Sequence, residues 1–303
     1  MSGERVCVIV NPAAGRGRGA RMIPEIKARF GEEGVTDVRA TSAKGDERAI
    51  ARAAIADGFT TLVVVGGDGT TANVANAIMN AGADTRLAAM PAGTGNDFAK
   101  VLGTADADVR TLARLATGPS DTRVDVGRVE NVFFLNSCGF GFDVAVLEEI
   151  AHTHWLRGSS IYLYAALRQL WSYRGFEVSI RSRGSLVASD FHMLLVIANA
   201  AYFGGMFTIA PDASVTDGRL DAVSILDVPA ARRIALLGAA TRGTHLRYPE
   251  CQTRRAKSFD VSFAAPPMFE TDGELHRAAN SSVHVISCPL ALRVVAPTLH
   301  SSC

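Results

Sequence analysis

Gly66-Gly67-Asp68-Gly69-Thr70 puts three glycines, a carboxylate and a hydroxyl into five residues. Glycines at this density let backbone approach a ligand closely. A turn that opens a helix aims free N–H groups and the helix dipole at that ligand, a setting that favours phosphate. Asp68 alone would repel phosphate, so a carboxylate here makes sense if Mg²⁺ or its water shell lies between the two. Two further stretches carry related chemistry. Asn11-Pro12-Ala13-Ala14-Gly15-Arg16-Gly17-Arg18-Gly19-Ala20 is rich in glycine. Gly93-Thr94-Gly95-Asn96-Asp97 adds a hydroxyl that can donate to phosphate and two polar groups able to cap a helix at Phe98. Gly15-x-Gly17-x-x-Ala20 matches a loose dinucleotide fingerprint, but its glycines start late and no acid ends the second strand, which argues against an NAD site. No Gly-Lys-Ser/Thr follows, so it is not a Walker loop. Asp217-Gly218 and Asp272-Gly273-Glu274 read by default as tight turns; in the second, two acids bracket a glycine at a strand end.

The elements that must position these loops follow from periodicity. Leu62–Val65 is an apolar run before the pentapeptide. Val74, Ala77, Ile78 and Ala81 follow it at the spacing of a buried helical stripe. Val6–Val10, Val35–Ala40, Thr61–Val65 and Arg86–Met90 are predicted strands. Between them lie helical faces at Ile23, Ile26 and Phe30 and after Asp46. This alternation predicts a parallel sheet covered on both faces, with ligands beyond the carboxyl ends of its strands. From about Arg123–Gly127 onward the pattern changes. Val132–Asn136, Phe176–Arg181, Leu186–Ala198, Arg219–Leu226, Ser258–Phe263, Val283–Ile286 and Leu290–Val295 are strand candidates. Helices are expected only at Val144–Trp155, Ser159–Tyr173 and Ala230–Arg242, so an antiparallel sandwich or sheet is predicted.

Composition narrows the class. The 303 residues suffice for two domains, and 48% apolar content supplies their cores. A net charge of +1 argues against nucleic acid as a partner. Cys7, Cys138, Cys251, Cys288 and Cys303 are odd in number and form no CxxC pair, which fits a reducing compartment and neither a disulfide framework nor a zinc site. The chain enters a strand at once, with no signal peptide expected, and no stretch reads as a transmembrane helix. A cytoplasmic protein is the expectation. Between Pro229 and Lys257, seven cations face one acid, Glu250. Such a run suits peripheral docking on anionic lipid.

Taken together, the segments resemble the diacylglycerol kinase catalytic-domain family, in its soluble bacterial lipid-kinase branch. They are Asn-Pro-x-x-Gly at Asn11, Gly66–Thr70, Gly93–Ala99, Asp125-Val126-Gly127, Asn136–Gly141, Ala210–Leu220 and Asp272–Glu274. The resemblance implies an α/β N-terminal nucleotide-binding domain, NAD kinase/phosphofructokinase-like, over 1–125 with a returning tail 289–303. It implies an antiparallel β-sandwich lipid-substrate domain over 126–288. ATP–Mg²⁺ is expected between the domains, contacted by Asn11, Thr41, Gly66, Gly67, Asp68, Gly69, Thr70, Gly93 and Thr94. Asp272 is the expected general base toward a lipid hydroxyl, with Glu274 and Asp68 beside it in catalysis. Asp97 and Asp125 join Asp68 in a water and Mg²⁺ network. A structural Mg²⁺ is expected on Asp217 and the backbone oxygens of Ser214 and Arg219. The implied activity is ATP-dependent phosphorylation of a diacylglycerol-like lipid at a membrane surface, and a homodimer is compatible with it. The other readings are an NAD kinase-like or other small-molecule kinase, and a non-catalytic lipid- or nucleotide-binding regulator. One departure stands out: the family usually follows Gly-Gly-Asp-Gly-Thr with Ile/Leu-Asn-Glu, where this chain has Thr71-Ala72-Asn73.

Overall fold

A computed structural model describes residues 5–152 and 159–297. The chain divides into two units, Met1–Val126 with Pro289–Cys303, and Gly127–Cys288. The first alternates β1 (Val6–Val10), α1 (Ala14–Glu32), β2 (Val38–Ala40), α2 (Asp46–Ala56), β3 (Thr61–Gly66), α3 (Asp68–Ala81), β4 (Arg86–Pro91), α4 (Asp97–Val101) and α5 (Val109–Thr117). β2, β1, β3 and β4 lie side by side in that order, all parallel. β1 and β3 are apolar almost throughout because both faces are covered. Val6, Val8, Val10, Val63 and Val65 pack on Ile26 and Phe30 of α1 and on Leu112 and Ala116 of α5. Cys7, Ile9, Leu62 and Val64 alternate with them and are fully buried too. α2 and α3 pack together and against β1 and β3.

β2 is shorter than expected. Gly34, in a left-handed conformation, and the Val35 N–H bonded to the Phe30 carbonyl end the helix before it, so Val35 belongs to that cap. Gly15, Arg16 and Gly17 also have positive φ, so regular helix in α1 begins after them.

β5 (Thr122–Val129) carries the chain into the second unit. There follow β6 (Val132–Phe134), β7 (Ser137–Gly141), α6 (Phe142–His152), α7 (Ser159–Ser172), β8 (Phe176–Ser182), β9 (Ser185–Ala198), β10 (Tyr202–Phe203), β11 (Phe207–Thr208), β12 (Leu220–Leu226), α8 (Ala230–Ala240), β13 (Cys251–Ala256), β14 (Ser258–Phe263), β15 (Met268–Thr271), β16 (Glu274–Arg277) and β17 (Ser282–Val294). Pairing within this unit is antiparallel, and β9 is its spine. Side chains alternate across a strand. Leu195 and Ile197 of β9 therefore enter a core with Phe134, Phe140, Phe259, Phe269 and Val283. Leu194, Val196 and Ala198 enter a second core with Phe142 of α6, Leu170 of α7 and Leu236 of α8. The result is an antiparallel β-sandwich with helices over one face.

Two expectations need correction. Val283–Ile286 and Leu290–Val295 belong to one strand, β17, broken by the left-handed Leu290 after Pro289. Beyond that break Val294 pairs parallel with Leu87 of β4. The helix expected at Val144–Trp155 starts earlier, at Phe142, and Trp155 lies outside the described residues. Among the described residues no helix is long and apolar enough to cross a membrane.

Candidate functional site

The three glycine loops meet at the carboxyl ends of β1, β3 and β4. The Ala92 and Gly93 N–H groups both donate to the Gly66 carbonyl, at 2.8 and 3.1 Å. Asn11 ties the first loop to α3: its Nδ2 donates to Thr70 Oγ1 at 3.0 Å, and its Oδ1 accepts from the Ala13 N–H at 3.0 Å. Thr70 is thus buried, packed against Gly66. Thr41, at the end of β2, donates its N–H to the Val10 carbonyl. Thr94 is exposed, while Asn96 shapes its loop by accepting from the Gly93 N–H and donating to the Gly93 carbonyl.

The glycines divide by role. A β-carbon on Gly93 would lie 2.5 Å from the Gly67 Cα, so these two are needed for loop-to-loop packing. A β-carbon on Gly69 would meet nothing within 4 Å. That open space lies beside the first turn of α3, where N–H groups have no partners inside the helix and could meet an anion.

Asp68 is held from the opposite side. Its Oδ1 accepts from the Phe98 N–H at 3.2 Å, at the start of α4. Burial raises its pKa, as does the nearby Asp97 charge, while the N–H groups of Phe98, Asp97 and Asn96 oppose the rise. A carboxylate with this balance gains from a cation, so the site fits Mg²⁺ carried with a nucleotide. Asp97 is buried and pairs with Lys100 Nζ at 2.8 Å. Asp125 is fully buried, and its Oδ1 accepts from the Leu290 N–H at 2.8 Å, which anchors the returning strand. Among the described residues no three acidic, histidine or cysteine side chains converge as a metal cage. Phosphate, water and backbone oxygens would have to complete the coordination.

The departure at Asn73 has a structural counterpart. Asn73 Nδ2 donates to Glu47 Oε1 at 2.6 Å, and Arg48 Nε donates to Asn73 Oδ1 at 2.7 Å. A buried carboxylate is therefore present at this spot, supplied by α2.

In the second unit, Asp272 and Gly273 form the two-residue turn between β15 and β16, both with positive φ. Asp272 Oδ2 accepts from the Leu135 N–H at 2.7 Å; Oδ1 accepts from the N–H groups of Asn136 at 2.8 Å and Ser137 at 3.3 Å. The turn reading and the functional reading of Asp-Gly-Glu are thus compatible. Glu274 faces Thr271 across the hairpin.

Ser214, Asp217 and Arg219 share the loop before β12. Asp217 Oδ1 accepts from the Arg219 N–H at 2.9 Å, and Oδ2 lies 3.9 Å from Arg255 Nη1. Asp212 and Asp217 both push the Asp221 pKa up, adding to its burial. The cluster stays negative despite Arg255, and the Asp217 carboxylate keeps lone pairs, so it fits a hard cation. Asp217→Ala is expected to remove a stabilisation by Mg²⁺. In melting curves chelator lowers wild type and leaves the variant unmoved; equal shifts would mean that no metal binds there.

The basic run is partly spent internally. Arg232 pairs with Glu250 at 2.8 Å, Arg233 is buried against Asp227 at 2.7 Å, and Arg255 bonds Asp221 at 3.0 Å. Arg242, Arg247, Arg254 and Lys257 remain exposed.

Two acids escaped the sequence reading. Asp143, in the first turn of α6, and Glu270 of β15 are both buried, and both converge on Gly139. A β-carbon there would lie 1.7 Å from Asp143 Oδ2 and 2.8 Å from Glu270 Oε1. The available signal was an acid inside an apolar strand, Phe269-Glu270-Thr271, opposite a glycine-rich one.

Comparison with known proteins agrees with this layout. The sequence is 25% identical over 273 residues to a diacylglycerol kinase of Staphylococcus carnosus (strain TM300), covering 89% of each chain. It is 27% identical over 273 residues to one of Bacillus subtilis (strain 168), covering 89% of this chain and 90% of that protein. A crystal structure of a diacylglycerol kinase from Bacillus anthracis str. Sterne superposes with a TM-score of 0.73 at 22% identity, covering 98% of both chains. An NAD kinase from Archaeoglobus fulgidus in complex with ATP shares the fold at a TM-score of 0.54 and 11% identity, covering 96% of this chain and 93% of that one. Residues 5–129 match the model of the diacylglycerol kinase catalytic domain, and residues 136–296 match that of the YegS C-terminal NAD kinase beta sandwich-like domain. The glycine loops fall in the first match and the Asp272 turn in the second, so the chain belongs to the diacylglycerol kinase catalytic-domain family, in its bacterial branch.

Proposed function

We propose that the protein is an ATP-dependent lipid kinase that phosphorylates the hydroxyl of a diacylglycerol-like lipid. The observation that carries this reading is the Asp272 carboxylate, fixed by three backbone N–H groups on a left-handed turn. Such a conformation is uncommon for a side chain other than glycine. The Leu135 N–H bonds Oδ2 at 2.7 Å, and a carboxylate held by backbone N–H groups is the kind of group that takes the proton of an alcohol. The open space at Gly69 and the first turn of α3 receive the phosphates of the nucleotide. Asp68 and Asp97 hold the accompanying cation through its water shell. When bound, Mg²⁺ offsets the charge on the transferred phosphoryl group. Asp217, with the carbonyls of Ser214 and Arg219, holds a second, structural Mg²⁺. Peripheral contact with a bilayer belongs to the same proposal, supported by the exposed cations and by Trp171 of α7, which is 71% exposed.

The test is transfer of labelled phosphate from ATP to a panel containing diacylglycerol, phosphatidylglycerol, a sphingoid base, a polyprenol and NAD. The expected result is Mg²⁺-dependent label in the organic phase with one lipid. Label on NAD alone would make the protein a small-molecule kinase. Label on nothing, with ATP still bound, would make it a binding regulator.

A further inference from the structure

We propose that Asp143 and Glu270 share one proton and, as a pair, hold the Asp272 turn in its working conformation. The inference rests on the reading of Asp272 as the base. Glu270 is 2% exposed and Asp143 is 8% exposed. Neither oxygen of Asp143 nor Oε1 of Glu270 has a hydrogen-bond partner. Both carboxyls occupy the space left by Gly139, which lies directly opposite Glu270 in the β7–β15 pairing. Two bare carboxylates cannot stay at such a position in an apolar interior. A single proton between them gives each carboxyl one bridged oxygen and removes one of the two charges, as in other carboxyl dyads.

The remaining oxygen of the pair reaches the turn. Glu270 Oε2 accepts from the Gly273 N–H at 2.7 Å, one residue after Asp272. The pair thus links the start of α6 to the hairpin that presents the base, and Glu270 is a positioning residue.

The groups facing the pair add no compensating charge. Cys138 of β7, Asp272 of the turn and Tyr173 beyond α7 are acids or thiols. None of the groups acting on either carboxyl is a cation. Burial pushes the Asp143 pKa up, with the N–H groups at the start of α6 opposing without reaching hydrogen-bond geometry. Burial, then the charges of Asp143 and Asp272, push Glu270 higher. The folded state therefore holds more protons than the unfolded state above the ordinary carboxylate range. Stability contributed by the pair falls as pH rises through that window.

Three measurements decide the proposal. Wild type should lose melting temperature as pH rises above the ordinary carboxylate range and through about 7, and E270Q and D143N should flatten that loss, because an amide keeps the bridging hydrogen at every pH. Difference infrared spectra should show a protonated-carboxyl stretch at neutral pH that disappears in both variants. E270A and G139A should lose about 10²-fold in kcat with KM for ATP held, E270Q should recover most of that rate, and its alkaline limb should move to higher pH. Parallel melting profiles for wild type and both amide variants, or no protonated-carboxyl band, would overturn the shared proton. An E270A rate equal to wild type would overturn the positioning role. If no acceptor lipid is phosphorylated, the kinase reading fails while the melting and infrared results still judge the pair. If lipid is phosphorylated and those results are negative, the pair alone falls.

Discussion

Asp272→Asn is expected to slow phosphoryl transfer by about 10²–10⁴-fold, the usual range for losing a general base. An amide cannot take the proton of the lipid hydroxyl. The substitution also carries a structural cost, because both oxygens of Asp272 accept backbone N–H groups, from Leu135 on one and from Asn136 and Ser137 on the other. An asparagine offers those N–H donors only one acceptor oxygen and turns an NH₂ toward the rest. Leaving a buried donor unpaired costs about 1–3 kcal/mol. Backbone strain adds nothing, since Asn tolerates the left-handed region as well as Asp does. Melting temperature should therefore fall moderately, with ATP affinity held. Single-turnover kinetics at saturating ATP, on protein shown to be folded at the assay temperature, separates the two effects. A wild-type rate in the variant would leave Asp272 a turn residue only.

The second large effect separates two glycines. Gly93→Ala places a methyl 2.5 Å from the Gly67 Cα and 3.2 Å from the Gly67 nitrogen. Both neighbours are backbone, so the loops must part, at about 1–3 kcal/mol in overpacking. Melting temperature and ATP affinity should fall together. Gly69→Ala meets nothing within 4 Å and sits in the first turn of α3. Alanine there is favoured over glycine by about 0.5–1 kcal/mol in a helix, so the fold should be at least as stable. The methyl nevertheless occupies the space assigned to phosphate. ATP binding should weaken by about tenfold or more, which is roughly 1.4 kcal/mol. Calorimetric titration of ATP–Mg²⁺ alongside melting curves is the measurement. Unchanged ATP affinity in Gly69→Ala would show that the glycine turn serves packing and that nucleotide binds elsewhere.

The first unit was legible because its information is local. Val6–Val10 and Thr61–Gly66 are short apolar runs that burial on both faces demands. Each of the three glycine loops follows a parallel strand, so one topological rule places them at one edge. The second unit was less legible. Ser137–Gly141 has two glycines in five residues, and glycine weakens any strand prediction. Its pairing with β9 and β15 supplies what local preference lacks. Cys251–Ala256 is polar over most of its length and, among the described residues, pairs along one edge, with β12.

Residue types and spacing by themselves determined the two-part fold class and pointed to the glycine loops as candidate phosphate contacts, while the family resemblance of the motifs singled out Asp272 as the acid to test. Those properties depend on neighbours a few residues apart. Tertiary structure alone decided which charges are spent and which are available. Asp68 turns toward the start of α4, Asp125 holds Leu290, and Arg232, Arg233 and Arg255 are paired within the fold. Glu47 reaches Asn73 from another helix. Asp143 and Glu270 meet only because Gly139 leaves room for both, although they stand far apart in the chain. The energy of a charge is set by what surrounds it in space, and local sequence does not contain those surroundings.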